Sequence, residues 1–281
     1  MNIIWKYILL FFIYSCAGWC SEVILSLIQH HKFINRGFLI GPLCPIYGFG
    51  GVLITIAFSF ISTKVTSIDM GINYINIIKI FFISMIICSV LEYFTSWLME
   101  KLFNNRWWDY SKMKYNLNGR ICLMCSLGFG FGAVLAVCFA NPLLKTGMNN
   151  MNIEVIKYID VFLLTIFLVD CIISFNVVSR LKNISNSVRS DSTDVISRKV
   201  RDIVFNDKPI LYKRLVSSFP TMKIKNKLSI LTENIERQKA KLEKTSLELK
   251  DKRAKLERSI RQLTKEKNKM RFNSFINIFK K

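Results

Sequence analysis

The sequence predicts an all-α protein in which a five-helix transmembrane bundle precedes a cytoplasmic helical and coiled-coil tail. Hydrophobic residues make up 51% of the 281 residues, although the chain carries 40 lysines and arginines. Five long apolar stretches lie before residue 180, and the remaining residues are polar and basic. Residues 228–270 carry an apolar residue at every seventh position. This composition excludes a single globular domain, a secreted disulfide scaffold and a free cytosolic enzyme.

The apolar stretches are each long enough, or nearly so, to cross a bilayer, which takes about 20 residues of helix. Backbone polar groups need internal partners in lipid, so we expect helices. The first stretch lacks the basic start and the cleavage site of a signal peptide, and we interpret it as a retained helix. Residues 1–180 thus form the predicted transmembrane domain. Its predicted spans are Ile3–Ile28, Pro45–Ser62, Ile75–Met99, Ile121–Ala140 and Ile159–Val178.

Basic residues in the loops predict the orientation. The loop after the first span carries Lys32 and Arg36, and the loop after the third carries five basic residues. The loop after the second span carries one basic residue, Lys64, and the loop after the fourth span carries two. Residues 1–180 hold 13 basic and 8 acidic residues, whereas residues 181–281 hold 27 and 11. The positive-inside rule therefore predicts a multi-pass cell-membrane protein with its N-terminus outside and its tail in the cytoplasm.

Three acidic residues interrupt the predicted spans: Glu22, Glu92 and Asp170. An ionisable group in the bilayer core costs about 2.5–3.5 kcal/mol, so it usually faces protein or water. In the predicted topology all three lie about 9 to 12 Å from the cytoplasmic ends of their helices. We expect arginines of the loops to pair with the two glutamates and to roof a polar cavity open to the cytoplasm. Structural ion pairs or snorkelling side chains are the alternative, and the sequence supplies no partner for the aspartate.

The loop after the first span is rich in glycine and proline. Gly37 and Gly41 permit backbone conformations that other residues avoid, and Pro42 breaks helices. The apolar Phe38–Ile40 predicts a short segment that dips into the membrane interface, where irregular backbone is tolerated only against protein or water. An ordinary tight turn between helices is the alternative.

The loop after the third span contains paired tryptophans, Trp107 and Trp108. They fit the aromatic belt of a membrane interface, and the charges beside them would also suit an aromatic-walled polar site. Together the loops and the adjacent helices give the predicted binding site. Its members are Trp19, Glu22, Arg36, Gly37, Gly41, Pro42, Tyr47, Glu92, Arg106, Trp107, Trp108, Asp109, Tyr110, Asn118 and Arg120.

These motifs also carry a family resemblance. They are Gly18-Trp19 with Glu22, residues 35–38 with Gly41-Pro42 and residues 44–48, Leu91-Glu92-Tyr93, residues 106–110 and residues 118–120. Over roughly residues 5–180 the chain resembles the putative ABC-transporter type IV family, the CmpB-like membrane proteins, which also includes vertebrate transmembrane protein 229. The resemblance implies a multi-pass membrane protein and, by the family's name, a permease that would need a separate ATPase subunit.

Enzymatic and metal-binding motifs are sparse. The chain contains no G-x-x-x-x-G-K-[ST] motif, so it cannot energise transport by itself. Cys122-x-x-Cys125 has no second pair of ligands, and His30 and His31 are the only histidines. We therefore expect no metal site, no catalytic residues and no cofactor.

The tail divides into two predicted parts. Residues 181–222 form a basic linker with short helices at Val195–Phe205 and Pro209–Ser218. Residues 223–281 form a long charged helix, and its companion apolar column is poor, so we expect a weak dimer or a partner-dependent helix. An isolated charged helix is the alternative. The apolar column comprises Leu228, Ile235, Leu242, Leu249, Leu256, Leu263 and Met270.

The last eleven residues predict an interfacial amphipathic helix. Its apolar face would hold Phe272, Phe275, Ile276 and Phe279, beside basic residues. The basic tail should meet anionic inner-leaflet lipids, and no recognition motif supports nucleic-acid binding.

Three classes of function fit these features. The first is a transport or small-ligand-binding membrane protein, the second a non-catalytic membrane scaffold or regulator that acts through the coiled coil, and the third an intramembrane enzyme acting on lipid head groups. The intramembrane acids, the loop glycines and the family resemblance favour the first.

Overall fold

The computed structural model describes residues 2–31, 33–62, 74–188, 190–220 and 222–279. Helices make up 81% of the structure, which agrees with the predicted all-α class. Some predictions fall outside the described residues: Lys32 and Lys64 of the loops, the side chain of Met270 and the side chains of the C-terminal apolar face.

Apolar helices occupy the first two thirds of the chain. They are α1 (Asn2–His30), α2 (Pro45–Ser62), α3 (Tyr74–Phe103), α4 (Leu123–Leu135), a π-helical turn (Ala136–Ala140) that continues into α5 (Asn141–Asn150), and α6 (Ile153–Ser187). Three two-residue strands lie between α3 and α4: β1 (Asn105–Arg106), β2 (Asn116–Leu117) and β3 (Ile121–Cys122). More polar elements follow α6: α7 (Thr193–Asp207), α8 (Ile210–Ser218), the two-residue strand β4 (Lys223–Ile224) and the long helix α9 (Lys227–Phe279).

Four helical stretches are long and apolar enough to cross a membrane: α1, α3, the continuous stretch from α4 to α5, and α6. The apolar part of α2 is shorter, so the fifth span stays a prediction. The helices of the bundle extend past several predicted ends because polar residues continue the helical turns. At the end of α3, Asn104 adopts a left-handed φ of 59°, and its N–H donates to the carbonyl of Glu100 at 2.9 Å, which terminates the helix.

Large apolar side chains cover the outer surface of these helices. Ile86, Val90, Phe131 and Phe162 are each between 58% and 65% exposed. Exposed apolar area of this extent on long helices requires hydrocarbon around it rather than water. The protein is therefore a multi-pass membrane protein embedded in a lipid bilayer.

Helices α1 and α2 pack closely through glycine. A Cβ atom at Gly48 would lie 2.6 Å from the main-chain oxygen of Phe11, and one at Gly18 would overlap the ring of Tyr47. Small residues permit this approach of two backbones, which is a common basis of helix packing in membranes. The close packing fixes the start of α2 against the middle of α1.

Contacts between distant residues distinguish the two ends of the bundle. At one end, Lys6 near the start of α1 donates to Asn149 at the end of α5 at 2.7 Å. At the other end, the connection from α1 to α2, the connection from α3 to α4 and residues 181–226 pack together. We call this second region the loop end. The assignment of the loop end to the cytoplasm stays a prediction.

A hydrophobic core lies within the loop end. It joins the end of α6, helices α7 and α8, and the start of the α3–α4 connection. Trp107 is 2% exposed in this core and contacts the rings of Phe38 and Phe219. The prediction that Trp107 belongs to an interfacial aromatic belt is therefore wrong, because the tail helices cover its ring.

The chain divides into two compact units, residues 1–226 and 227–281. In the first unit, residues 181–226 pack on the ends of the apolar helices. The second unit is the 53-residue helix α9, about 80 Å long. Within α9 the apolar column is exposed, with Leu242 at 69% and Leu263 at 64%. The predicted domain boundaries and the coiled coil both stay predictions.

Candidate functional site

The connection from α1 to α2, residues 33–44, carries the first part of the predicted site; we call it the first loop. Trp19 donates its ring N–H to the side-chain oxygen of Asn35 at 2.6 Å. One turn further along α1, Glu22 forms a 3.5 Å ion pair with Arg36 and accepts a 2.6 Å hydrogen bond from Tyr47. The two residues lie on one face of α1 because they are three positions apart. The first loop and α2 thus supply three partners to this face.

Asp170 of α6 binds the backbone of the first loop. Its two carboxylate oxygens accept hydrogen bonds from the N–H groups of Ile40 at 2.8 Å and Gly41 at 2.7 Å, and Ser174 adds a third at 3.0 Å. Irregular backbone at membrane depth needs such internal partners. The acid for which the sequence supplied no partner therefore stabilises the first loop.

Arg214 of α8 binds the same stretch of backbone through the carbonyl oxygens. Its guanidinium donates to Leu39 at 2.6 Å and to Phe38 at 3.3 Å. Ser218 donates to the carbonyl of Asn35 at 2.5 Å. The first loop is therefore held between α6 and the tail and is not an ordinary tight turn. Within it, Leu39 is 1% exposed and Pro42 is exposed, and a Cβ atom at Gly37 would make only ordinary van der Waals contacts.

The connection from α3 to α4, residues 104–122, carries the second part of the predicted site; we call it the second loop. Strands β2 and β3 pair in it as a hairpin. Its turn places Asn118 at φ 53° and Gly119 at φ 66°, and Arg120 donates back to Leu117 at 3.0 Å. Two successive positive φ angles are the geometry that an Asn-Gly pair favours. The dipeptide was the available sequence signal for this hairpin.

Glu100 of α3 is the centre of an ion-pair cluster in the second loop. It pairs with Arg120 at 2.7 Å, with Arg106 at 3.2 Å and with Lys225 at 3.0 Å. We expected arginines of the loops to pair with Glu22 and Glu92. Arg36 does pair with Glu22, but the prediction is wrong for Glu92. Glu100 lies two turns further along the same face of α3, and it competes for both arginines at the rim of the bundle.

Asp109 ties the second loop to the tail. It accepts from Lys223 at 2.6 Å, lies 3.5 Å from Arg106 and accepts from the backbone of Ser111 at 3.2 Å. Burial opposes the charged carboxylate, but the hydrogen bonds from Lys223 and Ser111 outweigh it and lower the pKa of Asp109 to about 2. Strand β1 pairs with β4 beside these contacts. The tail is thus joined to the second loop by both backbone and charge.

Two further residues of the second loop bind α3, and a third bonds within the loop. Tyr110 donates to Glu92 at 3.1 Å, Asn118 donates to Tyr93 at 3.0 Å, and Trp108 donates to the carbonyl of Arg120 at 3.0 Å. Burial, followed by the charge of Glu92, raises the pKa of Tyr110 above its ordinary value. The second loop therefore folds back along α3 to the level of Glu92.

Sequence reasoning missed several residues of this region. Glu100 lies one residue past the predicted end of the third span, and Asp160 lies at the start of the fifth, where it should have been counted with the other acids. Asp160 is 0% exposed, and neither carboxylate oxygen has a hydrogen-bond partner within the described residues. The partners Arg214, Lys223 and Lys225 stand in a generally basic tail, where no pattern distinguishes them.

Metal binding finds no support in the part of the chain that the structure describes, because it contains no group of three or more His, Cys, Asp or Glu side chains placed to hold an ion. The sulfur atoms of Cys122 and Cys125 lie 3.0 Å apart, and both thiols are free. An open depression beside α7 is lined by Ser187, Val188 and Lys199, among others, and includes none of the predicted site residues.

Comparison with known proteins identifies the family. The profile of the family described as putative ABC-transporter type IV matches residues 9–175, which include every predicted site residue. A comparison with curated proteins found no match, and a comparison with solved structures found none either. Since the profile covers more than half of the chain, this protein belongs to the putative ABC-transporter type IV family.

Proposed function

We propose that this protein is the membrane-spanning subunit of a transporter, which binds a small ligand in a polar cavity at the loop end and works with a separate ATPase. The family match supports the transport part of the proposal. The observation that carries it is the polar set around Glu22. This set combines an acid, a guanidinium, a phenol and an indole at the end of an apolar bundle.

The set around Glu22 is open enough for a ligand to reach. The side chains of Glu22 and Arg36 are 28% and 26% exposed, and their 3.5 Å ion pair is longer than a strong charge-assisted hydrogen bond. A ligand with a charged or polar group could therefore replace one partner at modest cost. The arginines of the second loop are less suited to direct contact, since Glu100 already pairs with both.

The loop end is also the place where an ATPase would act. The first loop binds the tail through Arg214, and the second loop binds it through Lys223 and Lys225. A partner that displaces the tail would therefore move both loops. We place the loop end on the cytoplasmic side of the cell membrane. ATP is present there, and the basic tail can meet anionic inner-leaflet lipids.

Reconstitution tests the transport proposal. The full chain would be placed in lipid vesicles together with a candidate nucleotide-binding protein, and ATP-driven uptake from a defined metabolite mixture would be followed by mass spectrometry. We expect uptake of a small polar compound that falls at least tenfold in Glu22→Gln. The matched control is Glu154→Gln, whose ion pair with Lys157 lies at the other end of the bundle. Absence of flux with any ATPase would contradict the proposal.

A second function, a membrane scaffold, is favoured by the exposed apolar column of α9. Residues 228, 235, 242, 249, 256 and 263 are each between 50% and 69% exposed. On a straight helix the positions of a strict seven-residue repeat rotate around the helix axis by about 20° per heptad. The apolar column therefore suits a partner helix in a supercoil better than a flat surface. The helix would then bind another coiled-coil chain or a second copy.

Deletion of residues 227–281 tests the scaffold function. This cut leaves β4 in place, so the second loop keeps its contacts with the tail. Under the scaffold function the truncated protein loses a purified partner or its own dimer, as measured by light scattering in detergent. Leu242→Asp with Leu249→Asp should give the same loss in the full chain. Unchanged mass in both variants would reject the scaffold function.

A further inference from the structure

Glu92 differs from the other acids of the loop end. Its residue is 5% exposed, and one carboxylate oxygen accepts from Tyr110 at 3.1 Å. The other oxygen is buried and has no hydrogen-bond partner among the described residues. By contrast, both carboxylate oxygens have partners in Glu22 (the hydroxyl of Tyr47 and the guanidinium of Arg36), in Glu100 (three cations) and in Asp170 (two backbone N–H groups).

The groups that face Glu92 do not compensate a negative charge. They are Glu22 on α1, Tyr47 on α2, Cys88 on α3, Tyr110 in the second loop and Cys125 on α4. All five are acidic groups, and Glu22 itself is negative. The nearby arginines are engaged elsewhere, since Arg36 pairs with Glu22 and both Arg106 and Arg120 pair with Glu100.

We propose that Glu92 is a proton-binding site, in which the carboxyl group takes up one proton at the oxygen that has no partner. Burial of an unpaired carboxylate is far more costly than burial of a neutral carboxylic acid with one hydrogen-bonding site unused. A proton is also the cation that needs no additional space in a packed interior. The inference does not depend on transport, and it makes the loop end responsive to pH whatever ligand binds there.

Tyr47 connects this site with the polar set around Glu22. Its hydroxyl donates to Glu22 at 2.6 Å, and it interacts electrostatically with both glutamates. Loss of the proton from Glu92 would place two negative carboxylates beside this phenol. The ion pair between Glu22 and Arg36 would then change, because Arg36 is the partly exposed cation of this set.

Infrared spectroscopy of the full chain in lipid nanodiscs tests the proposal. A protonated carboxylic acid gives a carbonyl band distinct from that of a carboxylate. All variants would carry Asp160→Asn, because the unpartnered Asp160 could contribute its own band. We expect a band that decreases as the pH rises from about pH 6, where solvent-exposed carboxyl groups are already ionised, to about pH 9, and that is absent in Glu92→Gln over this range. The control Asp170→Asn should keep the band, since Asp170 accepts from two backbone N–H groups.

Two results would overturn the proposal: a band that persists in Glu92→Gln, or no band at any pH in the parent. If Glu92→Gln does not fold, the parent chain is labelled with ¹³C at the carboxyl groups of its glutamates. The heavier isotope lowers the frequency of a glutamate carbonyl band, so the proposed band must shift. Above about pH 6 a glutamate band can be assigned to Glu92, since both oxygens of Glu22 and of Glu100 have partners and exposed glutamates are ionised. An unshifted band in the labelled parent rejects the site.

Discussion

The two loops at the loop end are both attached to the tail, but by different interactions. The first loop, residues 33–44, is held through its backbone: Asp170 accepts its N–H groups, and Arg214 donates to its carbonyl groups. The second loop, residues 104–122, pairs with β4 through β1 and is also held by ion pairs, those of Asp109 and those of Glu100 at the end of α3. The first loop thus binds the tail through its backbone carbonyl groups, whereas the second loop adds ion pairs to its backbone contacts.

This difference has a physical origin. Residues 38–41 of the first loop, which meet α6 and α8, carry no polar side chain, and Leu39 is 1% exposed, so only the backbone offers polar groups there. The second loop lies at the rim of the bundle, where Lys223 is 42% exposed and water can solvate the charges. Backbone hydrogen bonds in a buried site resist salt, whereas partly exposed ion pairs are screened. The two loops should therefore respond to different perturbations.

Asp170→Leu should have the largest effect. It leaves the N–H groups of Ile40 and Gly41 unpaired against protein, which we expect to lower the free energy of unfolding by about 4 kcal/mol. Asp170→Asn keeps one acceptor and should lose about half as much. Chemical unfolding in detergent micelles measures both. A loss of under about 0.5 kcal/mol in Asp170→Leu would show that the first loop is held by other contacts.

Glu100→Gln should have the next largest effect, because it leaves two guanidinium groups and a lysine without their shared anion. We expect a loss of about 3 kcal/mol at low salt and less at high salt. The matched control is Glu154→Gln, whose pair with Lys157 is exposed and should change stability by under about 0.5 kcal/mol. Equal losses in the two variants would contradict a central role for Glu100.

Arg214→Lys should loosen the first loop alone. Lysine keeps the charge but loses the forked geometry that reaches two carbonyl groups, a loss of about 1.5 kcal/mol. Hydrogen exchange should become faster in residues 33–44 and stay unchanged in residues 104–122. Arg201→Lys is the control, since Arg201 donates to carbonyls within the tail. Faster exchange in both loops would mean that they are not independent.

Acid should weaken the attachment of the second loop to the tail. The pKa of Asp109 is about 2, below its ordinary 3.8, so its contribution is complete above about pH 4 and is lost as the pH falls through about 2. Since Lys223 is partly exposed, we expect about 1 kcal/mol. Asp109→Asn should remove this acid dependence in chemical unfolding curves. If the unfolding free energies of the native protein and of Asp109→Asn depended on pH in the same way, Asp109 would be excluded as the source of the acid dependence.

Much of the fold could be predicted from the sequence. Apolar length determined the four long membrane helices, and the seven-residue column indicated a long helix where α9 lies. These features are local, since a helix satisfies its own backbone and its composition reports the surrounding solvent. The positions of Glu22, Glu92 and Asp170 in the apolar helices were likewise apparent from the residues alone.

Only the tertiary structure decided which groups these acids meet. Asp170 binds backbone 130 residues away in sequence, and Glu100 takes the arginines predicted for Glu92. Trp107 is buried because tail helices cover it. Each outcome depends on how separate segments pack. The sequence around a basic residue does not indicate which carboxylate or carbonyl group the residue will contact. Composition thus established the membrane helices, whereas three-dimensional packing selected the partners of their charges.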